Sequence, residues 1–218
     1  MACSCCGFHV MTERQFSPKR ASAELGRYRR KGPGTTTRLL LSGLVDTGLL
    51  NGRLLDVGAG IGSLTFELLD KGISRAVVVD AASAYLTVAR AEASRRGRIE
   101  AIEFVQGDFV DVSSRLPSAA VVTMDRVICC YARYGPLLGE ALRHAERCFA
   151  ISYPRDRWYV RAAVAGENRT RWIVRNPFRN FVHSQTAMEN LIHGAGFVLS
   201  SRQQTWTWSV DVYTKRTR

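Results

Sequence analysis

The chain has 218 residues, of which 46% are hydrophobic and 23% are charged, and its formal net charge is +12. A chain of this length buries one substantial core, so we expect one globular domain with short appendages. It lacks a run of about 18 apolar residues, which argues against a membrane-spanning helix. It also lacks an apolar leader of signal-peptide type. We therefore expect a cytoplasmic protein.

The N-terminal residues differ from the rest of the chain. Residues 1–21 show no sustained periodicity, and we expect them to form a disordered tail that contains cysteines. Residues 22–35 carry the sequence SAELGRYRRK before a Gly-Pro-Gly turn, which predicts a short basic arm. Residues 36–218 are predicted to form the main domain. The tail holds three thiols and one imidazole, those of Cys3, Cys5, Cys6 and His9. Their spacing matches no common zinc-ligand pattern, so no metal site is predicted.

Short apolar segments alternate with amphipathic ones through the middle of the chain, after a predicted helix from about Thr37 to Thr47. Five apolar segments are typical of strands buried on both faces: 53–57, 75–80, 102–106, 120–125 and 148–153. Four amphipathic segments predict helices: 63–71, 82–96, 109–115 and 134–146. This alternation favours an α/β architecture, with a mostly parallel sheet and helices on both of its faces.

The sequence changes character after Pro154. Residues 155–183 mix aromatic side chains with arginines at helical spacing, and we predict that this insertion forms a lid over the substrate. A helix is predicted from Ser184, its N-cap, to Ala195. The last segment contains two alternating stretches around Gln203 and Gln204, which predict a terminal antiparallel strand pair at the sheet edge.

A glycine-rich turn follows the first predicted strand, in the sequence LLDVGAGIGSLTFELL at 54–69. The dinucleotide fingerprint has the spacing G-x-G-x-x-G, in which the third glycine lets the helix pack closely on the strand. Here Ser63 occupies that third position, so a nicotinamide cofactor is the weaker prediction. Asp80 ends the second strand about twenty residues later, where a carboxylate accepts hydrogen bonds from ribose hydroxyls in either kind of cofactor site.

The sequence DVGAGIG at 56–62 resembles motif I of the class I S-adenosylmethionine-dependent methyltransferases. The resemblance implies a Rossmann-like methyltransferase fold and S-adenosylmethionine as cofactor. Gly58 and Gly60 would pass beneath the cofactor because they lack a Cβ and tolerate positive φ, and Asp56 would orient the loop and reach the amino end of the cofactor. Residues 106–109 (QGDF) resemble the family's adenine-contacting motif, and 124–131 (MDRVICCY) resemble the segment beneath the sulfonium and the substrate. The implied cofactor-binding residues are Asp56, Gly58, Ala59, Gly60, Gly62, Asp80, Ala81, Asp108, Phe109 and Asp125.

Methyl transfer from a sulfonium is an in-line displacement, so alignment supplies much of the acceleration and a base is optional. Three side chains near the predicted substrate side are candidate catalytic residues: His183, Tyr131 and Tyr153. Cys129 and Cys130 follow the fourth strand, where pyrimidine C5 methyltransferases carry a Pro-Cys or Thr-Cys pair. Ile128 precedes the cysteines here, so we expect them to pack in the core.

The aromatic rings and arginines of 155–183 favour a small-molecule methyl acceptor that is planar or acidic. The layout is also loosely similar to that of the magnesium-protoporphyrin O-methyltransferases. The alternative for this segment is a second small core with a solvated arginine face. An RNA methyltransferase stays open because of the charge of +12, although the arginines are spread over the chain. A non-catalytic nucleotide-binding protein also stays open.

Overall fold

The computed structural model describes residues 11–216, which form an α/β fold around one seven-stranded sheet. The strand order is β3-β2-β1-β4-β5-β7-β6. The first five strands pair in parallel, and β7 pairs antiparallel with both β5 and β6. The strands are β1 (Arg53–Val57), β2 (Arg75–Asp80), β3 (Ile102–Gln106), β4 (Ala119–Asp125), β5 (Ala145–Pro154), β6 (Phe197–Gln204) and β7 (Trp208–Lys215).

Eight helices are labelled here, and they cover the sheet on both faces. They are α1 (Pro18–Lys31), α2 (Thr35–Asp46), α3 (Ser63–Leu69), α4 (Ser83–Arg95), α5 (Phe109–Val112), α6 (Tyr134–His144), α7 (Trp158–Ile173) and α8 (Gln185–Gly194). Helices α1 to α4 pack on one face of the sheet, whereas α5, α6 and α8 pack on the other. Successive residues of each central strand point alternately into these two cores. Because both faces are buried, the strand sequences are almost continuously apolar.

The predicted fold is confirmed: the sheet is mostly parallel, helices flank it, and an antiparallel pair ends it. The helix predicted over 134–146 ends at His144 instead, because β5 begins at Ala145 and its register with β4 starts there. Strand β6 continues through Gln204, so the final turn lies at 205–207, after the position predicted from the sequence. Across residues 11–216, every helix is too short or too polar to cross a bilayer.

The tail predicted as disordered over 1–21 is mostly helical over its described residues, 11–21. Residues 11–15 are helical, and α1 begins at Pro18, a residue suited to the first helical turn. Phe16 joins the two segments and packs edge-on against Tyr85 and Phe178, with ring centroids 5.6 and 5.5 Å away. These contacts link positions far apart in the chain, so local periodicity gives no sign of them. Cys3, Cys5, Cys6 and His9 lie outside the described residues.

The glycine-rich turn between β1 and α3 is packed against the segment that follows β4. Gly58 has a φ of +64°, and a Cβ on it would lie 2.4 Å from Cγ2 of Val127. The absence of a side chain at this glycine therefore makes room for Val127. The approach of a ligand to the bare backbone of Gly58 stays a prediction. The same contact holds the turn beside the carboxyl end of β4.

Glu92 joins α4 to α1 by an ion-pair cluster. Its side chain is fully buried, and its carboxylate accepts hydrogen bonds from three arginines, at 2.6 Å from Arg29, 2.6 Å from Arg95 and 2.9 Å from Arg96. The hydrogen bonds from Arg95 above all, with those from Arg96 and Arg29, hold the pKa of Glu92 well below its usual range. The cluster therefore fixes α1, and with it the residues that precede α1, to the body of the fold.

Substituting Gly58 should show how tightly this turn is packed. We expect Gly58→Ala to lower the free energy of unfolding by about 1–3 kcal/mol, because the added methyl overlaps Val127. Adding Val127→Ala should restore part of the loss, leaving the cost of a positive φ. The control is Gly139→Ala in α6, where an added Cβ meets no heavy atom within 4 Å. Thermal unfolding measures all three variants, and a Gly58→Ala protein as stable as the control would contradict the packing described here.

Glu92→Gln should lower the free energy of unfolding at pH 7 by about 2 kcal/mol, because three guanidinium groups lose a charged acceptor. A carboxyl with a lowered folded pKa stabilises the fold above its unfolded pKa of about 4.3, and this contribution is lost as the pH falls below that value. The wild type should thus lose its advantage between about pH 5 and pH 2. Urea unfolding at pH 7, 5 and 3 measures the difference. Glu146→Gln, at an exposed position, is the control and should change stability by less than about 0.5 kcal/mol at any of these pH values.

Candidate active site

A cleft of about 250 Å³ opens at the carboxyl ends of β1, β2 and β4. In open parallel sheets this edge is where ligands bind, because the loops after neighbouring strands converge there. Seven of the predicted cofactor-binding and catalytic residues line the cleft: Gly58, Gly60, Asp80, Ala81, Phe109, Asp125 and Tyr131. The predicted cofactor positions therefore mostly meet in one place.

Asp80 connects the glycine turn to the end of β2. One carboxylate oxygen accepts a hydrogen bond from the backbone N–H of Gly60 at 2.8 Å, and the other accepts from the N–H of Ala82 at 2.8 Å. Burial raises the pKa of Asp80 to about 6 in spite of these donors. A carboxylate offers about four lone-pair positions, so two remain for donors from a ligand in the cleft.

Asp56 points into the protein and not into the cleft. It is 2% exposed, and its two oxygens accept from the hydroxyls of Thr65 and Thr123, each at 2.7 Å. Burial raises the pKa of Asp56 to about 6. The prediction that Asp56 reaches the amino end of the cofactor therefore needs correction, because this carboxylate links β1 to α3 and β4. Ala59 and Gly62, also predicted to bind the cofactor, lie in the turn but do not line the cleft.

The segment after β3 presents Phe109 to the cleft and keeps Asp108 at its edge. Asp108 caps α5 by accepting from the N–H of Val110 at 3.1 Å, and it also accepts from the hydroxyl of Tyr131 at 2.8 Å. Burial raises the pKa of Asp108 and, far above its usual range, that of Tyr131. Both donors contact Oδ1, so Oδ2 of Asp108 can still accept from a ligand, and its contact with adenine stays a prediction.

The segment after β4 brings a strained arginine to the cleft. Asp125 accepts hydrogen bonds at 2.6 Å from the hydroxyls of both Thr37 and Ser152, which fixes its position at the rim. Arg126 follows with a φ of 62°, a left-handed conformation that is uncommon for a side chain of this size. Such strain is characteristic of functional sites, where the surrounding structure enforces it. Arg126 was not among the site residues predicted from the sequence.

Two of the three predicted catalytic residues lie away from the cleft. The hydroxyl of Tyr153 is buried and donates to Asp211 at 2.7 Å, on the side of β5 that faces α8. His183 has Nε2 at 3.1 Å from the carbonyl oxygen of Ile128, and burial lowers its pKa. Neither side chain lines the cleft, whereas Tyr131 does. The assignments of Tyr153 and His183 are corrected accordingly, because both have structural partners in place of a ligand.

The residues before and within α1 cover the cleft, although those up to residue 21 were predicted to form a disordered tail. Phe16 and Arg20 line it together with Glu24, which accepts from the hydroxyl of Tyr85 at 2.9 Å and from Arg126 at 3.4 Å. Glu13 accepts from the N–H of Ser83 at 2.8 Å. The segment is therefore attached to α4 and to the loop after β4, and it closes one side of the site.

The insertion at 155–183 contributes its inner side to the cleft and turns its outer side to solvent. Arg171 and Phe178 line the cleft, with the guanidinium 5.5 Å from the ring centroid. Trp158 and Trp172, predicted to belong to the lid surface, are 81% and 67% exposed and do not line the cleft. The inserted helix α7 is thus a wall of the site on one side only.

Comparison with known proteins agrees with this geometry. Residues 54–150 match a family model described as a methyltransferase domain. The structure of magnesium protoporphyrin IX methyltransferase from Synechocystis with bound S-adenosylmethionine superposes with a TM-score of 0.69 at 16% identity, covering 96% of this chain and 97% of that one. An O-methyltransferase family protein from Burkholderia thailandensis gives a TM-score of 0.71 at 13% identity, covering 94% of this chain and 62% of that one. No curated protein sequence matches the chain.

The matched residues 54–150 begin in β1 and end in β5, so they include the glycine turn, Asp80 and the segment after β4. These are the parts that form the floor of the cleft. The strand order and the terminal antiparallel pair extend the likeness over the whole described chain. Residues 54–150 thus match a methyltransferase domain, and the described chain has the fold of the class I S-adenosylmethionine-dependent methyltransferases.

Proposed function

We propose that this methyltransferase acts on a small acidic acceptor with a flat apolar body and transfers the methyl group to a carboxylate oxygen. The observation that carries the proposal is the convergence of three guanidinium groups on the cofactor cleft, from Arg20, Arg126 and Arg171. They come from three separate segments, and Arg20 and Arg171 each lie over an aromatic ring. Fixed planar cations next to flat apolar surfaces suit an aromatic or otherwise planar acid.

The arginines differ in how far they are already paired. Arg126 lies 3.4 Å from Glu24 and 3.9 Å from Asp125, and Arg171 lies 3.1 Å from Glu167. Arg20 stacks over Phe16 at 5.5 Å, and within residues 11–216 it forms no ion pair. Arg20 therefore has the most capacity to receive an anionic group. The ring of Phe16 beneath it offers the flat surface for the acceptor body.

The hydroxyl of Tyr131 and the thiol of Cys130, which line the cleft, also favour an acceptor that is already ionised. Burial raises the pKa of the Tyr131 hydroxyl, and a hydrogen bond with the Cys129 thiol, together with burial, raises the pKa of Cys130. Both groups hold their protons at neutral pH and are poor bases. A carboxylate acceptor loses no proton on methylation, so alignment is sufficient. The three arginines would hold the acceptor in that alignment and keep it ionised.

The residues of the cleft fit the cofactor of the family. Gly58 and Gly60 expose bare backbone, Asp80 has two lone-pair positions for ribose hydroxyls, and Phe109 offers a ring face for the base. The chemistry that S-adenosylmethionine supplies when bound is an electrophilic methyl group on a sulfonium. The chain would orient the cofactor through the glycine turn and Asp80, and the N-terminal cover would exclude water from the cleft.

We propose that the chain divides into this cover at 11–35 and a methyltransferase domain at 36–218, in which 155–183 form a wall of the acceptor site.

Asp80 should dominate cofactor affinity. We expect Asp80→Ala to weaken binding of S-adenosylmethionine by about 1–3 kcal/mol, because a charged acceptor is lost and the turn is released. Donors from the ribose favour the ionised form, so the free-state pKa of about 6 should fall on binding. Affinity should then decrease as the pH falls below about 6, and Asp80→Asn should remove this dependence. Calorimetry between pH 5 and pH 8 measures both effects.

The control for Asp80 is Asp46→Ala, at an exposed position at the end of α2 that does not line the cleft. It should bind the cofactor as the wild type does. The same titrations with S-adenosylhomocysteine and with NAD separate the cofactor classes. Binding of NAD alone, or an affinity unchanged in Asp80→Ala, would place the ribose elsewhere.

The acceptor class is tested with methyl-labelled S-adenosylmethionine and a panel of planar aromatic acids, their amides, and bulk RNA. We expect label in the acids only, as an ester that alkali removes. Arg171→Gln should lower kcat/KM for an accepted acid roughly 10- to 100-fold, since a charged hydrogen bond is lost. Arg90→Gln is the matched control: Arg90 also lies over a ring, that of Phe104 at 4.8 Å, but does not line the cleft. Label in amides or in RNA would reject the carboxylate proposal while leaving cofactor binding intact.

A further inference from the structure

Five large apolar side chains are exposed together on the insertion and on the turn between β6 and β7. Trp158 is 81% exposed, Trp206 76% and Trp172 67%, and two aliphatic side chains beside Trp172 are more than half exposed. A soluble domain usually buries tryptophan, so several indoles in solvent indicate a binding surface. We call this set the outer aromatic face, formed by Trp158, Trp172, Ile173, Val174 and Trp206.

The helical spacing of α7 places part of this face on one side of the helix. Residues spaced four, three, seven and one positions apart along a helix project within about 120° of one another. This spacing is that of Trp158, Ala162, Ala165, Trp172 and Ile173. Val160 is the buried residue of α7 and lies on the opposite side. The outward stripe runs for about 21 Å between Trp158 and Trp172 at 1.5 Å per residue.

The turn between β6 and β7 extends this stripe toward the cleft. The ring of Trp206 packs against that of Tyr159 at 5.3 Å, and the Tyr159 hydroxyl donates to the carbonyl of Trp206 at 2.9 Å. Tyr159 also contacts Trp158 at 5.9 Å. Two residues beyond Trp206, Trp208 lines the cleft. The outer aromatic face is therefore a connected surface that reaches the cleft mouth.

The charges around this face are nearly all positive. Four exposed arginines flank or interrupt the stripe: Arg157, Arg161, Arg169 and Arg175. Between 158 and 175 the sequence has a single acidic residue, Glu167, which pairs with Arg171 at 3.1 Å. Asp156, just before the helix, pairs with Arg161 at 2.7 Å. The surface thus offers indole rings and guanidinium groups with little negative charge.

We propose that the outer aromatic face docks on an anionic membrane surface, with the indoles among the lipid headgroups and the arginines against the phosphates. Tryptophan and arginine at the edges of an apolar helix face are suited to the membrane interface, where one side is apolar and the other is charged and wet. Ile173 and Val174 add apolar area that base stacking would not use, which favours lipid over RNA. A twofold contact between two copies would bring like-charged arginines together, which disfavours self-association.

Docking in this orientation would bring the cleft mouth to the lipid surface. Arg171 and Phe178 lie on the inner side of the same insertion and line the cleft, and Trp208 lines it beside the turn. An amphiphilic acceptor could then pass from the bilayer to the cleft without crossing bulk water. The inference goes beyond the proposed function, because attachment to lipid is measured without any turnover.

The test is cosedimentation of the full chain with large unilamellar vesicles. One set contains phosphatidylcholine with about 30% phosphatidylglycerol, and the other contains phosphatidylcholine alone. We expect binding to the anionic vesicles, weaker binding to the neutral ones, and loss of binding as salt is raised from about 0.05 to 0.5 M. Tryptophan fluorescence should shift to the blue on the anionic vesicles, because three indoles leave water.

Paired variants separate this face from the net charge of the protein. Trp158→Ser with Trp172→Ser should weaken vesicle binding by roughly tenfold or more, and Arg161→Gln with Arg169→Gln should weaken it by a similar factor. The charge-matched control, Arg30→Gln with Arg115→Gln, changes exposed positions on other elements and should bind as the wild type does. Leu199→Ser on β6 is the apolar control. Unchanged affinity for S-adenosylmethionine and an unchanged circular dichroism spectrum show that each variant is folded.

Three outcomes would overturn the proposal. Failure of the wild type to sediment with anionic vesicles at low salt is the first. Equal weakening by the control pair is the second, because it would show attraction by net charge alone. The third is self-association of the wild type, or saturable binding to bulk RNA, that the two tryptophan substitutions abolish while vesicle binding is unaffected.

Discussion

The carboxylate of Asp80 is the contact on which the arrangement of this site depends. By accepting from the N–H groups of Gly60 and Ala82, it ties the glycine turn after β1 to the end of β2. Gly58, in the same turn, is held against Val127 from the segment after β4. Three adjacent strands of the parallel sheet are thus joined at their carboxyl ends by one carboxylate and one close packing contact. The cleft lies where these connections meet.

The N-terminal residues complete that cleft from outside the sheet. Phe16 packs between Tyr85 of α4 and Phe178 of the insertion, so one ring connects two walls of the cleft. Because Glu92 and its three arginines attach α1 to α4, the cover is anchored at Arg29, a few residues beyond the cleft-lining Glu24. A cover of this kind would keep water from the cleft. It also supplies Arg20, the least paired cation of the proposed acceptor site.

The two sides of the insertion carry side chains with different surroundings. Arg171 and Phe178 face the cleft, whereas the indoles of Trp158 and Trp172 face outward among arginines. The insertion thereby forms a wall of the cleft and, through other side chains, the surface that we infer to contact lipid. The two roles are separable by substitution, because different residues carry them. The sequence of this segment alone therefore does not show which of its aromatic and arginine side chains face the cleft and which face solvent.

The sequence by itself determined the order of strands and helices, the glycine turn and the position of Asp80, because these follow from local periodicity and from residues a few positions apart. The same local reading failed for Tyr153, His183 and Asp56, whose partners Asp211, Ile128 and Thr123 are distant in the chain. It also missed Phe16, Arg20 and Arg126. Only the tertiary structure decided which polar groups are satisfied inside the protein and which face the cleft, since burial and hydrogen-bond partners arise when remote segments pack together.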